Sequence, residues 1–271
     1  MSDSVAAKLE AEARTFGGRV GYAVSNGASG DLLTWQADEK FPTASAIKLP
    51  VLSAFHAFVD GGGVRWEDNV KITREWIPGG SGVLEHLSMP REVSYLDAAW
   101  LMICLSDNLA TNILLEAMTI ELANDLIEQI AGDGITVKGY AGFRPDGPVK
   151  SMGEATPRAL HRYLQRLRAG TVPGAAATIE VAFQQFYRHS IPRYLPIDRY
   201  RESTLRIAHK SGSLPGIRTD IGLLESGEAM AELVFMTADA EDTGSSFENA
   251  GERCIGRLAR IVYDALQRGE W

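Results

Sequence analysis

Apolar positions along the chain recur with two different periods, and the period switches twice. Val5, Leu9, Ala13 and Phe16 fall three to four residues apart, which predicts an amphipathic helix over 4–16, ended by Gly17 and Gly18. RVGYAVSN (19–26) and DLLTWQA (31–37) then read as strands joined by a hairpin-type turn at Asn26-Gly27-Ala28-Ser29-Gly30. Helical spacing takes over in the middle of the chain, over 44–59, 94–105, 108–117, 119–131 and 157–168. Gly61-Gly62-Gly63, Pro78-Gly79-Gly80 and Gly132-Asp133-Gly134 mark the breaks. Thr156-Pro157 supplies a hydroxyl cap followed by a proline at the first helical position. Strand patterns return at LRIAHKSGS (205–213), IRTDIGLLE (217–225) and AMAELVFMTA (229–238). A last helix, 246–269, carries Ile255, Leu258, Ile261, Val262, Ala265 and Leu266 on one face. A sheet drawn from both chain ends, with helices inserted between, accommodates this order most simply. The expected division is an α/β domain from 1–42 and 200–271 and an all-helical domain over 43–199. The Arg- and Tyr-rich segment 187–206 reads as a solvated connection with aromatic anchors.

Composition narrows the class without naming a function. The 271 residues are 45% hydrophobic and 23% charged, a globular balance that excludes a disordered or fibrous chain. Lys and Arg total 27 against 35 Asp and Glu, and the resulting charge of −8 argues against a nucleic-acid partner. Cys104 and Cys254 are too few for a disulfide framework and read as buried free thiols. No apolar run is long enough for a membrane span. The first residues show no charged segment followed by an apolar one, so a cytoplasmic monomer is expected, although a mature chain renumbered from a new Met would look the same. No His-Glu-x-x-His or Cys/His cluster suggests a metal, and no cofactor is expected. The five His are not accompanied by a Gly-x-Ser-x-Gly elbow; His209, beside Lys210, reads as an ordinary strand histidine.

Three short motifs carry candidate chemistry. Ser45-Ala46-Ile47-Lys48 opens an apolar helical run, so Ser45 should sit at a helix N-terminus with Lys48 on the same face. A serine hydroxyl needs a base to become a nucleophile, and a lysine whose pKa is lowered by burial and a second cation can serve. The Ser45 backbone N–H can face a developing oxyanion. Ser106-Asp107-Asn108 lies between helices: Ser106 can pass a proton from Lys48 to a leaving nitrogen, and Asn108 can hold a substrate amide. Asp107 reads as a cap for the next helix. Lys210-Ser211-Gly212-Ser213 lies on a predicted strand. There Lys210 supplies a second cation, Ser211 a hydroxyl for a carboxylate, Gly212 a close approach, and Ser213 a second oxyanion donor.

Ser-x-x-Lys, Ser-Asp-Asn and Lys-Ser-Gly in this order resemble the signature of class A β-lactamases and penicillin-binding proteins, with Ser for Thr in the third motif. The resemblance spans most of residues 18–237, through GGSGVLEHL, MICLSDNLATNILL, EATPRAL and AHKSGSLPGIRTDIGLL. It implies a β-lactamase-like α/β fold (an α+β sandwich): a five-stranded antiparallel sheet flanked by terminal helices, plus the inserted helical domain. It implies Ser45 as nucleophile, Lys48 as base, Ser106 as proton shuttle and Lys210 as electrostatic anchor. Asn108, Ser211, Gly212, Ser213 and, with a small gap in register, Arg218 would bind a β-lactam or another small amide or ester. The family's Glu-x-x-Leu-Asn, whose glutamate activates the deacylating water, is absent from this chain. Asp146 and Glu154 are the acids of the shortened stretch, and Glu154 reads as an exposed residue before a helix. The resemblance therefore implies acylation and leaves three outcomes: hydrolysis, an esterase or amidase on another substrate, or a β-lactam sensor that releases slowly.

Overall fold

The structure, a computed structural model, describes residues 4–142, 150–197 and 204–271. The elements run α1 (Val5–Arg14), β1 (Arg19–Asn26), β2 (Leu32–Trp35), β3 (Phe41–Pro42), a 3-10 turn (Ala44–Ile47), α2 (Lys48–Asp60), β4 (Asn69–Ile72) and β5 (Arg91–Ser94). They continue with α3 (Tyr95–Cys104), α4 (Asn108–Met118), α5 (Ile120–Ala131), β6 (Ile135–Val137), β7 (Gly153–Ala155), α6 (Pro157–Arg168) and α7 (Ala175–Phe183). The chain closes with β8 (Leu205–Leu214), β9 (Ile217–Ser226), β10 (Ala229–Ala238) and α8 (Ala250–Arg268).

The main sheet has five strands in the order β2-β1-β10-β9-β8, antiparallel throughout, so both chain ends do build it. Its faces are covered by different layers. Tyr22, Val24, Leu233 and Phe235 pack with Leu9 of α1 and Leu258 and Val262 of α8. Their sequence neighbours Ala23, Val234 and Met236 join the core that the helical middle builds on the other face. Burial on both faces explains why 229–238 runs apolar instead of alternating. Caps set the helix starts: Thr156 Oγ1 accepts from Ala159 N (3.1 Å), and Asn249 Oδ1 accepts from Gly251 N and Glu252 N. That asparagine starts α8 at Ala250, later than the apolar face suggests.

Two features escaped the periodicity. The middle of the chain carries small antiparallel pairings, β4 with β5 and β3-β7-β6, whose strands of two to four residues are too short for alternation to register. Helix α7, AAATIEVAF, lacks an amphipathic contrast strong enough to announce it. Cys104 and Cys254 are buried and free. Among the described residues no helix is long and apolar enough to cross a membrane.

Candidate active site

The helical middle meets the edge strand β8 at a cleft whose two halves join at Ser45, Ser81 and Ser213. The larger half, about 380 Å3, is also lined by Ala44, Asn108, Lys150, Leu214 and Arg218. The smaller, about 180 Å3, is lined by Ser106, Tyr187, His189, Ser190, Ser211 and Glu252.

Ser45 lies in the 3-10 turn that precedes α2, not in the α-helix itself. Ala44, just before it, has φ 44°. In a 3-10 turn residues i and i+3 eclipse, so Ser45 and Lys48 share a face more closely than α-helical spacing gives. The Ser45 hydroxyl has no hydrogen-bond partner among the described residues. Gly212 explains how β8 reaches this turn: a Cβ there would lie 2.6 Å from Ser45 N and 2.7 Å from Thr43 O. The close approach allowed by glycine is therefore to the turn that holds Ser45.

Lys48 is fully buried. Its Nζ meets Ser106 O at 2.7 Å, Asn108 Oδ1 at 2.9 Å and Ser106 Oγ at 3.2 Å. Burial, then the charge of Lys210, pushes its pKa well below the usual lysine value, against the pull of Asp107. Nζ donates in all three contacts, which hold it between Ser106 and Asn108, and the lowered pKa brings the amine nearer to its neutral, proton-accepting form. Lys210 is also fully buried and donates to Ser211 O at 2.8 Å. Burial lowers its pKa to about 7, opposed by Asp220.

Ser106 has φ 54°, a left-handed conformation uncommon for a serine, and it turns the chain between α3 and α4. Its carbonyl accepts from Lys48 and from Ser81 Oγ (2.8 Å). Asp107 caps α4 through Ala110 N (3.0 Å) and also accepts from Val83 N (2.6 Å) and Leu84 N (2.9 Å), fastening the Ser81 wall. Asn108 Oδ1 accepts from Lys48 Nζ, and Nδ2 donates one hydrogen to Gly79 O (3.0 Å), which leaves one N–H for the cleft.

Arg218 reaches the larger half but is mostly spent within the protein. Its Nε meets Glu252 Oε1 (3.1 Å), Nη1 meets Leu214 O and Ile217 O, and Nη2 meets Gly244 O. One of its five N–H groups remains. Glu154 lines neither half: it pairs with Lys138 (2.6 Å) and Lys40 (3.5 Å), and the hydrogen bond to Lys138 holds its carboxyl below the usual range. Asp146 lies outside the described residues. His209 is fully buried and meets Asp220 Oδ1 at 2.9 Å, away from the cleft lining.

Several lining residues were not singled out from the sequence. Ser81 had a signal, since Gly-Gly-Ser-Gly was part of the resemblance. The segment 187–206 reads in sequence as a solvated connection with aromatic anchors. In its described part Tyr187 and His189 are exposed and form a wall of the cleft with Ser190, whereas Ile191, Pro192 and Leu195 are buried, which corrects the solvated reading there. Asp220 Oδ2 accepts from Ile191 N (3.0 Å) and ties this wall to the sheet. The Arg193 side chain is buried, its guanidinium 4.0 Å from the Phe247 ring centroid and 3.9 Å from Glu252 Oε2. A charged side chain buried by aromatic and acidic neighbours from a distant segment leaves no local trace in sequence.

A buried lysine beside a serine turn, a second buried lysine and a sheet edge closing the cleft bring the three sequence motifs together at one place. The family model described as "Beta-lactamase enzyme family" matches residues 4–266, and the chain belongs to that family, as a β-lactamase-like serine hydrolase. A β-lactamase from Sphaerobacter thermophilus is 28% identical with a TM-score of 0.85, covering 97% of this chain and 96% of that one. A β-lactamase from Chitinophaga pinensis is 21% identical with a TM-score of 0.84, covering 96% and 98%. A point mutant of PBP-A, solved as an acyl-enzyme complex with penicillin G, is 21% identical with a TM-score of 0.82, covering 97% and 96%. The α+β fold with its five-stranded antiparallel sheet is that of these structures.

Proposed function

We propose that the protein opens β-lactams by acylating Ser45 and releases the acyl group slowly. Neutral Lys48 takes the Ser45 hydroxyl proton as Oγ bonds to the lactam carbonyl carbon. The Ser45 and Ser213 N–H groups stabilise the oxyanion. Collapse of the tetrahedral intermediate breaks the C–N bond, and the proton returns from Lys48 through the Ser106 hydroxyl to the leaving nitrogen. Lys210, Ser211 and the remaining N–H of Arg218 attract the substrate carboxylate, and Asn108 holds the acyl-side amide.

The observation that carries this reading is the hydrogen-bond set of Lys48, which links a lysine of lowered pKa to both Ser106 and Asn108 while Ser45 stays unpartnered. Slow release rests on the acids present. Among the described lining residues the only carboxylate is Glu252, and it is committed to Arg218. The test follows the opening of a chromogenic cephalosporin by wild type and Ser45→Ala. We expect a burst of about one equivalent followed by slow turnover in wild type, and neither in the variant. Activity retained in Ser45→Ala would refute the assignment.

A further inference from the structure

Away from the cleft, a separate cavity of about 240 Å3 opens among α2, α3 and α7. Each helix turns one face toward it. Leu52 and His56 come from α2, Leu96, Ala99 and Trp100 from α3, and Ala177 and Val181 from α7, at spacings of three or four residues that share a helix face. Trp66 and Glu67, on the connection after α2, complete the lining. Leu52, Ala99 and Val181 are buried, whereas Leu96 and Trp100 at the rim are 45% and 40% exposed. Small side chains at Ala99 and Ala177 leave the space empty.

The polar groups of this cavity are one carboxylate, one imidazole and two indoles. Glu67 is exposed and makes no hydrogen bond or ion pair among the described residues, its attraction to Arg65 being at longer range. The nearby cation Arg65 is engaged by Asp68, with Nη2 and Nε at 2.9 and 3.1 Å from Oδ1. The His56 ring is fixed 4.7 Å from the Trp66 ring, and a Cβ on Gly174 would lie 2.1 Å from its Cγ, so backbone closes the other side. Burial holds His56 below the usual imidazole range, so it adds no positive charge at neutral pH. Two indoles, a neutral imidazole and an unpaired carboxylate around an apolar floor match a cation with an apolar body. Aromatic faces attract such cations, and few polar groups fix a ligand in a largely apolar pocket.

We propose that this cavity is a binding site for a small organic cation, an amine or quaternary ammonium carrying an aromatic or branched aliphatic group. The cation lies against Trp100 and Trp66 near Glu67, and the apolar body fills the space over Leu52, Ala99 and Val181. The proposal is independent of the Ser45 chemistry.

Isothermal titration calorimetry with benzyltrimethylammonium tests it, with thermal melts confirming that each variant is folded. We expect one saturable site in wild type. Trp100→Ala should weaken it about tenfold and Glu67→Gln about threefold, in line with the worth of partly desolvated cation–π and charge contacts. Ala177→Leu, which fills the cavity from an exposed helix position, should abolish binding. Absence of saturable heat in wild type would overturn the proposal. So would affinity unchanged in Trp100→Ala and Glu67→Gln, or binding that survives Ala177→Leu.

Discussion

Gly212→Ala adds one methyl group at the seam between β8 and the Ser45 turn. The new Cβ would lie 2.6 Å from Ser45 N, 2.7 Å from Thr43 O and 2.9 Å from Ala46 N, all backbone atoms, where ordinary contact begins at 3.4 Å. Relief of the closest of these contacts therefore needs an opening of about 0.8 Å. Neither side yields easily. Ala44, Ala46 and Ile47 in the turn are buried, and β8 is paired along its length with β9. The displacement falls on the spacing between Ser45 and Ser213, the two donors assigned to the oxyanion. Misplacement approaching 1 Å costs on the order of 100-fold in rate. Overpacking costs about 1–3 kcal/mol of stability, which a domain of ordinary stability survives. Stopped-flow acylation by a chromogenic cephalosporin, with a thermal melt alongside, reads both effects. We expect acylation slowed by about 10- to 100-fold in a folded protein. An unchanged acylation rate in folded Gly212→Ala would refute the link between strand approach and oxyanion geometry.

Other outcomes follow from individual contacts. Lys48→Ala should slow acylation by about 100- to 10,000-fold, the usual worth of a positioned base, measured by the same burst assay. Because the Lys210 pKa is lowered to about 7, its cation is present below that pH and lost above it, so KM for a penicillin should rise as pH passes upward through 7, and Lys210→Gln should flatten that rise. Asp107→Ala removes a buried carboxylate from three backbone N–H donors, and urea denaturation should show a loss of about 3 kcal/mol. Burial lowers the His161 pKa to about 4 where it meets Ser25 Oγ. The unfolded chain takes up this proton near pH 6.5 and the native state resists it until about 4, so stability falls as pH drops through that window, by up to ~3 kcal/mol. Urea midpoints at pH 7 and 4.5 should diverge less in His161→Gln than in wild type.

Much of the fold was readable because its signals are local. The strand of 19–26 and that of 229–238 coincide with β1 and β10, since residues buried on one or two faces of a sheet form recognisable runs. Asp107 reads as a cap in sequence and is one in structure. The cleft was legible only in part, because the motifs name side chains without their surroundings. That Arg218 is spent on Glu252 depends on α8 returning across the sheet, a contact between residues 34 apart. That Glu154 faces two lysines depends on the pairing of β7 with β3 and β6, strands too short to predict. The 3-10 turn at Ser45 was hidden for a different reason: its sequence continues the apolar pattern of α2, and its contact is with Gly212, a residue far away in the chain.

The mass of the intact protein after mixing with penicillin G tests the central claim most directly. We expect one added penicillin, located on Ser45 by peptide mapping, persisting well after free drug is removed and absent from Ser45→Ala. Unmodified protein with unhydrolysed drug, or an adduct on any other residue, would contradict acylation at Ser45. Rapid hydrolysis with no trapped adduct would contradict slow release.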